Sequence, residues 1–494
     1  MREKLLPRYR LIVPSIATIL LFAIFLTSAT AGTKEGIDLY KQGKLDEAIQ
    51  TFKQAAEANP KDTLARQWLG FVLLKKSNYA EAAGVLEEAV NLGAKDPEVR
   101  SNLGMAYMGL GKYQKAVEEF QEALKLRKDW GECLDNLGTA YLRMKNYDKA
   151  LENYRKAAAI MPKNANVRAN LGLALLESGN INEAIAELRK AHVLAPNDDD
   201  IATNLGWALK RNKDYDAAQS AFEKALAVNP NSYNARIGLA EVFTAAGYSE
   251  KAIRHYEAAI KLKPSESAPH FNLGVLYLRT GQFAKAAEEF NAVLSITPKD
   301  VEALAYLAWA RFKTGNTEQA IADLTKAIEI DAKFLPARVN LASIYTAGGK
   351  AAEAIEAWKA VLELSPNHVG ANINLGSLYL REGRDSEAAA CYEAAVKSDP
   401  KSAEAHFGLG AAVSKLGKTD QAIAEYRKAI ELNPKMANAY NNLGVEIEKK
   451  GRIEEAKELY RKALKLDPNH AEAKRNLERF EAKPMTDKSK PEAG

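Results

Sequence analysis

A proline returns every 34 residues along most of this chain. Pro60, Pro162, Pro196, Pro230, Pro264, Pro298, Pro366, Pro400, Pro434 and Pro468 share one grid, and Ala94, Lys128 and Ala332 fill its three remaining points without breaking the register. A fixed period of this length constrains the architecture more than any single motif. One such unit is too short to bury a core alone, so successive units must stack. The ordinary expectation for 494 residues, about three separate domains, gives way to one repeat array.

With proline as position 32, 13 repeats run from residue 29 to 470. Position 20 is alanine throughout, from Ala48 to Ala456, and position 8 is glycine except at Ala240, Ala308 and Ala342. Position 24 is always large, as in Phe52, Tyr154, Trp358 and Tyr460. Apolar residues recur at helical intervals in two blocks per repeat. A glycine at position 15 separates the blocks in ten repeats, for example Gly111, Gly179 and Gly451. Glycine suits the site just past a helix end, because it accepts positive φ without a Cβ clash. Proline then ends the second block, since it cannot continue a helical hydrogen-bond ladder. Each repeat is therefore helix, tight turn, helix. Small residues at positions 8 and 20 let the two backbones approach, and the position-24 side chain fills the space left between them.

This pattern resembles the tetratricopeptide repeat family over about nine tenths of the chain. It departs at position 4, where the family favours tryptophan and this sequence often has arginine (Arg66, Arg100, Arg168, Arg236, Arg338). The resemblance implies an all-α fold: a right-handed α-solenoid superhelix of 13 tandem 34-residue helix-turn-helix repeats. Its first helices would line a concave groove. Residues 471–482, "AEAKRNLERFEA", read as a capping helix, with Glu478 where the repeat has its position-8 glycine. The polar stretch 483–494 reads as a disordered tail.

At the other end, Arg2, Lys4, Arg8 and Arg10 precede an apolar run from Leu11 to Leu26, followed by "TSATAGT". Ala29 and Ala31 form a small-residue cleavage signature, so residues 1–31 read as an export signal cut before Gly32. The alternative is an uncleaved anchor at residues 11–26, the chain's one expected membrane attachment. Either way the repeats are expected outside the cytoplasm, in an extracytoplasmic or periplasmic space.

Chemistry leaves little trace. The six histidines form no metal-like pair on one helical face, and the two cysteines, Cys133 and Cys391, stand in distant repeats. "GLGAAV" at Gly408 echoes a phosphate loop but belongs to the repeat pattern and follows no strand. With every repeat assigned, no stretch remains for a catalytic domain. No enzyme activity, cofactor or metal is expected. Net charge is only +5 with no basic block, so nucleic acid is not an expected partner.

A ladder remains. Position 6 is asparagine in eight repeats: Asn102, Asn136, Asn170, Asn204, Asn272, Asn340, Asn374 and Asn442. In the resembled family this position faces the groove, where an amide can pair with an extended peptide backbone as donor and acceptor. The competing reading bonds each amide within its own scaffold. Position 13 is basic in nine repeats (Lys41, Lys75, Arg143, Arg211, Arg279, Lys313, Arg381, Lys415, Lys449). The resemblance puts this stripe near the groove rim, where it would favour an acidic ligand; it would equally offset helix C-terminal dipoles. Trp207 and Trp309 at position 9 are expected on the groove, with Trp68 and Tyr306 extending it at position 6. The family's clamp for a C-terminal carboxylate is absent, because position 9 is never asparagine. The expectation is a non-catalytic scaffold of the cell envelope binding an extended polypeptide or partner proteins. The alternative is end-to-end self-assembly into dimers or filaments, which the charged helix at 471–482 opposes.

Overall fold

The computed structural model describes residues 30–481; residues 1–29 of the expected export signal and the expected tail 483–494 lie outside them. The described residues form 27 helices and no strand. Two helices, here A and B, make each of the 13 repeats, and Ala471–Glu481 follows as the capping helix. The chain divides into two compact units, residues 1–272 and 273–494, with the boundary inside helix A of repeat 8, Ser267–Arg279.

Local chemistry places the helix ends. Position 34 commonly caps helix A of the next repeat: the side chains of Asp62, Asp198, Asp300 and Ser402 accept from backbone N–H groups three residues on. After helix A the chain turns through a left-handed residue at position 15. All ten glycines there have positive φ. The three repeats without glycine hold Ser77, Lys145 and Lys213 at φ 58°, 59° and 62° instead. The turn geometry is so strictly required that ordinary side chains adopt it. It also satisfies carbonyls at the helix end: Gly111 N–H donates to Met108 O, and Lys112 N–H to Tyr107 O at 2.9 Å.

The joint between A and B is as tight as the small residues imply. All 13 position-20 alanines are fully buried, and no position-24 side chain is more than 4% exposed. A Cβ added to Gly104 would lie 2.6 Å from the Phe120 ring, and one on Gly206 equally close to Phe222. Burial of each such large side chain contributes about 1.5–3 kcal/mol, which the small residue makes possible by letting the ring reach the facing backbone.

Position 4, the departure from the family pattern, forms a polar clasp between repeats. Arg168 Nε donates to Pro162 O at 2.8 Å while its Nη1 meets Glu187 Oε2, also at 2.8 Å. His406 makes the same pair of contacts, to Pro400 O and Glu425. Arg236 and Arg338 each reach the equivalent carbonyl. A proline two residues before the repeat boundary ends helix B, and this side chain covers the carbonyl there.

The capping helix packs Leu477 and Phe480 against the core of unit 2, while Ala473 is buried. Arg479 pairs with Glu448 at 2.7 Å, and Asn476 Nδ2 donates to Asn441 Oδ1 at 3.0 Å. Its other face is polar, with Glu472, Lys474 and Glu478 outward. Among the described residues no helix is long and apolar enough to cross a membrane, and no group of three candidate metal ligands occurs.

Candidate functional site

Position 6 lies at the joint between repeats as well as on the inner face of helix A. A Cβ on Gly238 would overlap the Phe222 ring of the preceding repeat, and one on Gly408 the Tyr392 ring. Trp68 stacks on Phe52 with centroids 6.2 Å apart, and Tyr306 on Phe290 at 5.5 Å. The side chain at position 6 thus covers the position-24 residue of the repeat before it. That geometry decides the fate of the asparagines.

In unit 1 the amides are enclosed. Asn102, Asn136, Asn170 and Asn204 are at most 2% exposed, and Asn272 is 5% exposed. Asn170 Nδ2 donates to both carboxylate oxygens of Asp135 at 3.3 Å. The expected open ladder is therefore corrected here. Leu173, Leu176 and Trp207, at positions 9 and 12, are themselves buried on the same face, and large apolar side chains favour such burial. Trp207 is T-stacked on Phe222 at 5.4 Å, under Lys210, rather than presented to a ligand. Beside it, Lys210 and Glu241 form an ion pair at 2.5 Å.

Unit 2 presents the same repeat positions differently. Tyr306 and Trp309, on helix A of repeat 9 (Val301–Lys313), are 40% and 37% exposed. Lys313 Nζ stands 5.4 Å above the Trp309 ring. On the next A helices the inner positions are small hydroxyls and amides: Asn340 and Ser343 (Leu335–Ala347), then Asn374 and Ser377 (Val369–Arg381). Asn340, Asn374 and Asn442 are half-buried rather than enclosed. Two of these amides bond inside the scaffold, Asn374 Nδ2 to Gly370 O at 2.8 Å and Asn442 Nδ2 to Tyr426 OH at 3.5 Å. Asn340 has no side-chain hydrogen bond among the described residues.

All nine basic side chains at position 13 are exposed. Two reach the end of the preceding A helix: Arg211 donates to Leu176 O at 2.9 Å and Lys415 to Leu380 O at 3.2 Å. For these two the helix-end role is realised. Arg143, Arg279 and Arg381 have no ion pair among the described residues. The two thiols are packing groups: burial pushes Cys133 up to about 12 and Cys391 up to about 11.

The sequence pattern missed Asp135. Its carboxyl lies at position 5, fully inside unit 1, and burial pushes it up to about 7 against the opposing pull of the Asn170 amide. The signal was an acid-amide pair 35 residues apart, one position beyond the repeat period.

Stacked helix pairs with a small-on-large joint define an α-solenoid repeat protein. Models described as "Tetratricopeptide repeat" match residues 33–98, 95–163, 141–206, 203–267, 244–301, 271–333, 339–403 and 437–470, and a "TPR repeat" model matches 414–445. The chain belongs to the tetratricopeptide repeat family. Among solved structures it is similar to YrrB, titled a TPR protein with an unusual peptide-binding site: 23% identity, 39% of this chain, 99% of that one, TM-score 0.36. It is also similar to the Cut9-Hcn1 hetero-tetramer of the APC/C: 17% identity, 90% and 95% coverage, TM-score 0.39. Yeast Tom70 is similar at 17% identity, 80% and 96% coverage, TM-score 0.36. No curated protein matches the chain.

Proposed function

We propose that this chain is a non-catalytic scaffold that holds an extended polypeptide against the inner face of unit 2. Exposed Tyr306 and Trp309, the latter beneath the Lys313 ammonium, carry this reading. Two large aromatic rings that keep more than a third of their surface exposed, on the face the family uses for partners, are the kind of anchor that dominates interfaces. The half-buried amides of Asn340 and Asn374 lie on the neighbouring helices, and a bound backbone would pair with their remaining hydrogen-bond capacity. YrrB, a peptide-binding repeat protein by its title, is a precedent for this use of such a fold.

The scaffold is exported. Basic residues before an apolar run, then Ala29 and Ala31, support secretion and a place in the cell envelope. N-terminal sequencing of the mature protein tests this: a start at Gly32 supports cleavage, and an intact Met1 supports the anchor.

Selection of 12-residue peptides on the full chain tests the binding face. Peptides selected on the native protein are expected to lose at least tenfold in affinity for a Tyr306→Ala, Trp309→Ala double variant. Peptides that bind both equally would place the binding surface elsewhere.

A further inference from the structure

We infer that the polypeptide held on the unit-2 inner face carries carboxylates at a three-residue register. This rests on the reading of that face as a peptide site and adds the chemistry of its occupant. The argument starts from the exposed position-13 cations. Lys449 is taken up by Glu446 at 2.6 Å, and Lys415 by Asp385 at 3.7 Å and the Leu380 carbonyl. Arg279, Lys313 and Arg381 have no carboxylate partner among the described residues. Lys313 is instead held over Trp309 and, at 5.8 Å, over Phe283. Three cations without a carboxylate partner among the described residues thus stand at the C-terminal ends of the A helices of repeats 8, 9 and 11, and one of them, Lys313, lies over the exposed Trp309 ring. Repeat 10 contributes Ala347 at the same position, leaving one gap in the row.

Spacing converts this row into a ligand pattern. Helix A of repeat 9 touches that of repeat 10, and each other step of the row is one repeat of the same 34-residue period. Helices in contact lie about 8–10 Å apart. An extended chain rises about 3.3 Å per residue, so one repeat matches about three ligand residues. The cation, cation, gap, cation order therefore selects acidic side chains at ligand positions i, i+3 and i+9 in one chain direction, or i, i+6 and i+9 in the other. An apolar ligand side chain near the first pair would meet Tyr306 and Trp309.

The test uses fluorescein-labelled 12-residue peptides of one composition with three glutamates and one phenylalanine, bound to the full chain and read by anisotropy. One peptide places glutamate at 1, 4 and 10, one at 1, 7 and 10, and a third at 1, 2 and 3. Exposed ion pairs contribute about two- to fivefold each, so one spaced peptide is expected to bind about tenfold or more tighter than the block peptide. That preference is expected to shrink in 300 mM salt. It should disappear in an Arg279→Ala, Arg381→Ala variant whose circular dichroism is unchanged. Equal binding of spaced and block peptides, all weakened by Trp309→Ala, overturns the register and leaves the peptide face standing. Binding indifferent to Trp309→Ala, or absent for every peptide, overturns both.

Discussion

Glycine placed at the three left-handed turns that lack it should stabilise the array. Ser77, Lys145 and Lys213 sit at φ near +60°, where an ordinary side chain costs about 1–2 kcal/mol. All three side chains are exposed, so their removal forfeits no buried contact. The turn bonds belong to the backbone and survive: Lys145 N–H to Leu142 O and Lys213 N–H to Lys210 O, both at 2.9 Å. Glycine gains freedom in the unfolded chain, which costs about 0.4–1 kcal/mol. The net gain is about 0.5–1 kcal/mol per site. The sites are two repeats apart and share no partner, so the triple variant should gain roughly 1.5–3 kcal/mol. Repeat arrays unfold by segments, so amide hydrogen exchange across repeats 2, 4 and 6 reads the effect better than one midpoint. The reciprocal change, Gly179→Lys at φ +89° with open space around it, should lose a similar amount. Slower exchange in none of the three glycine variants, or no loss at Gly179→Lys, would refute the turn as the source of strain.

Further expectations follow from the joints and the buried acid. Gly238→Ala and Gly408→Ala should each destabilise by about 1–3 kcal/mol in urea unfolding, because the new methyl meets the Phe222 or Tyr392 ring; unchanged midpoints would contradict the inter-repeat joint. Ala184→Leu and Ala286→Leu should overpack the A–B joint to a similar degree in the same measurement. Arg168→Ala should cost about 1 kcal/mol through loss of its Pro162 and Glu187 contacts, read by exchange in repeat 5. Asp135 has a folded-state pKa raised from 3.8 to about 7, so its contribution is fully present below about 4 and is lost as pH rises through about 7. Unfolding titrations across that window should show stability falling with pH in the native chain and a flatter profile in Asp135→Asn.

The period of the chain determined by itself that it is a stack of helix pairs. The 34-residue grid, the alanine at position 20 and the glycine at position 15 are local requirements of backbone approach and turn geometry. Such requirements act identically in every repeat, so a linear pattern can display them. Even the exceptions obeyed: Ser77, Lys145 and Lys213 take the glycine conformation because the turn demands it. Accessibility is another kind of property. Asn170 and Asn340 occupy the same repeat position and read alike in the sequence. One is closed beneath its neighbours and bonded to Asp135, while the other is half-buried with no side-chain hydrogen bond among the described residues. Trp207 and Trp309 divide the same way. The reason is that exposure on the inner face depends on what adjacent repeats place at positions 5, 6, 9 and 12, a sum over three helices rather than a property of one. Tertiary structure alone supplies that sum.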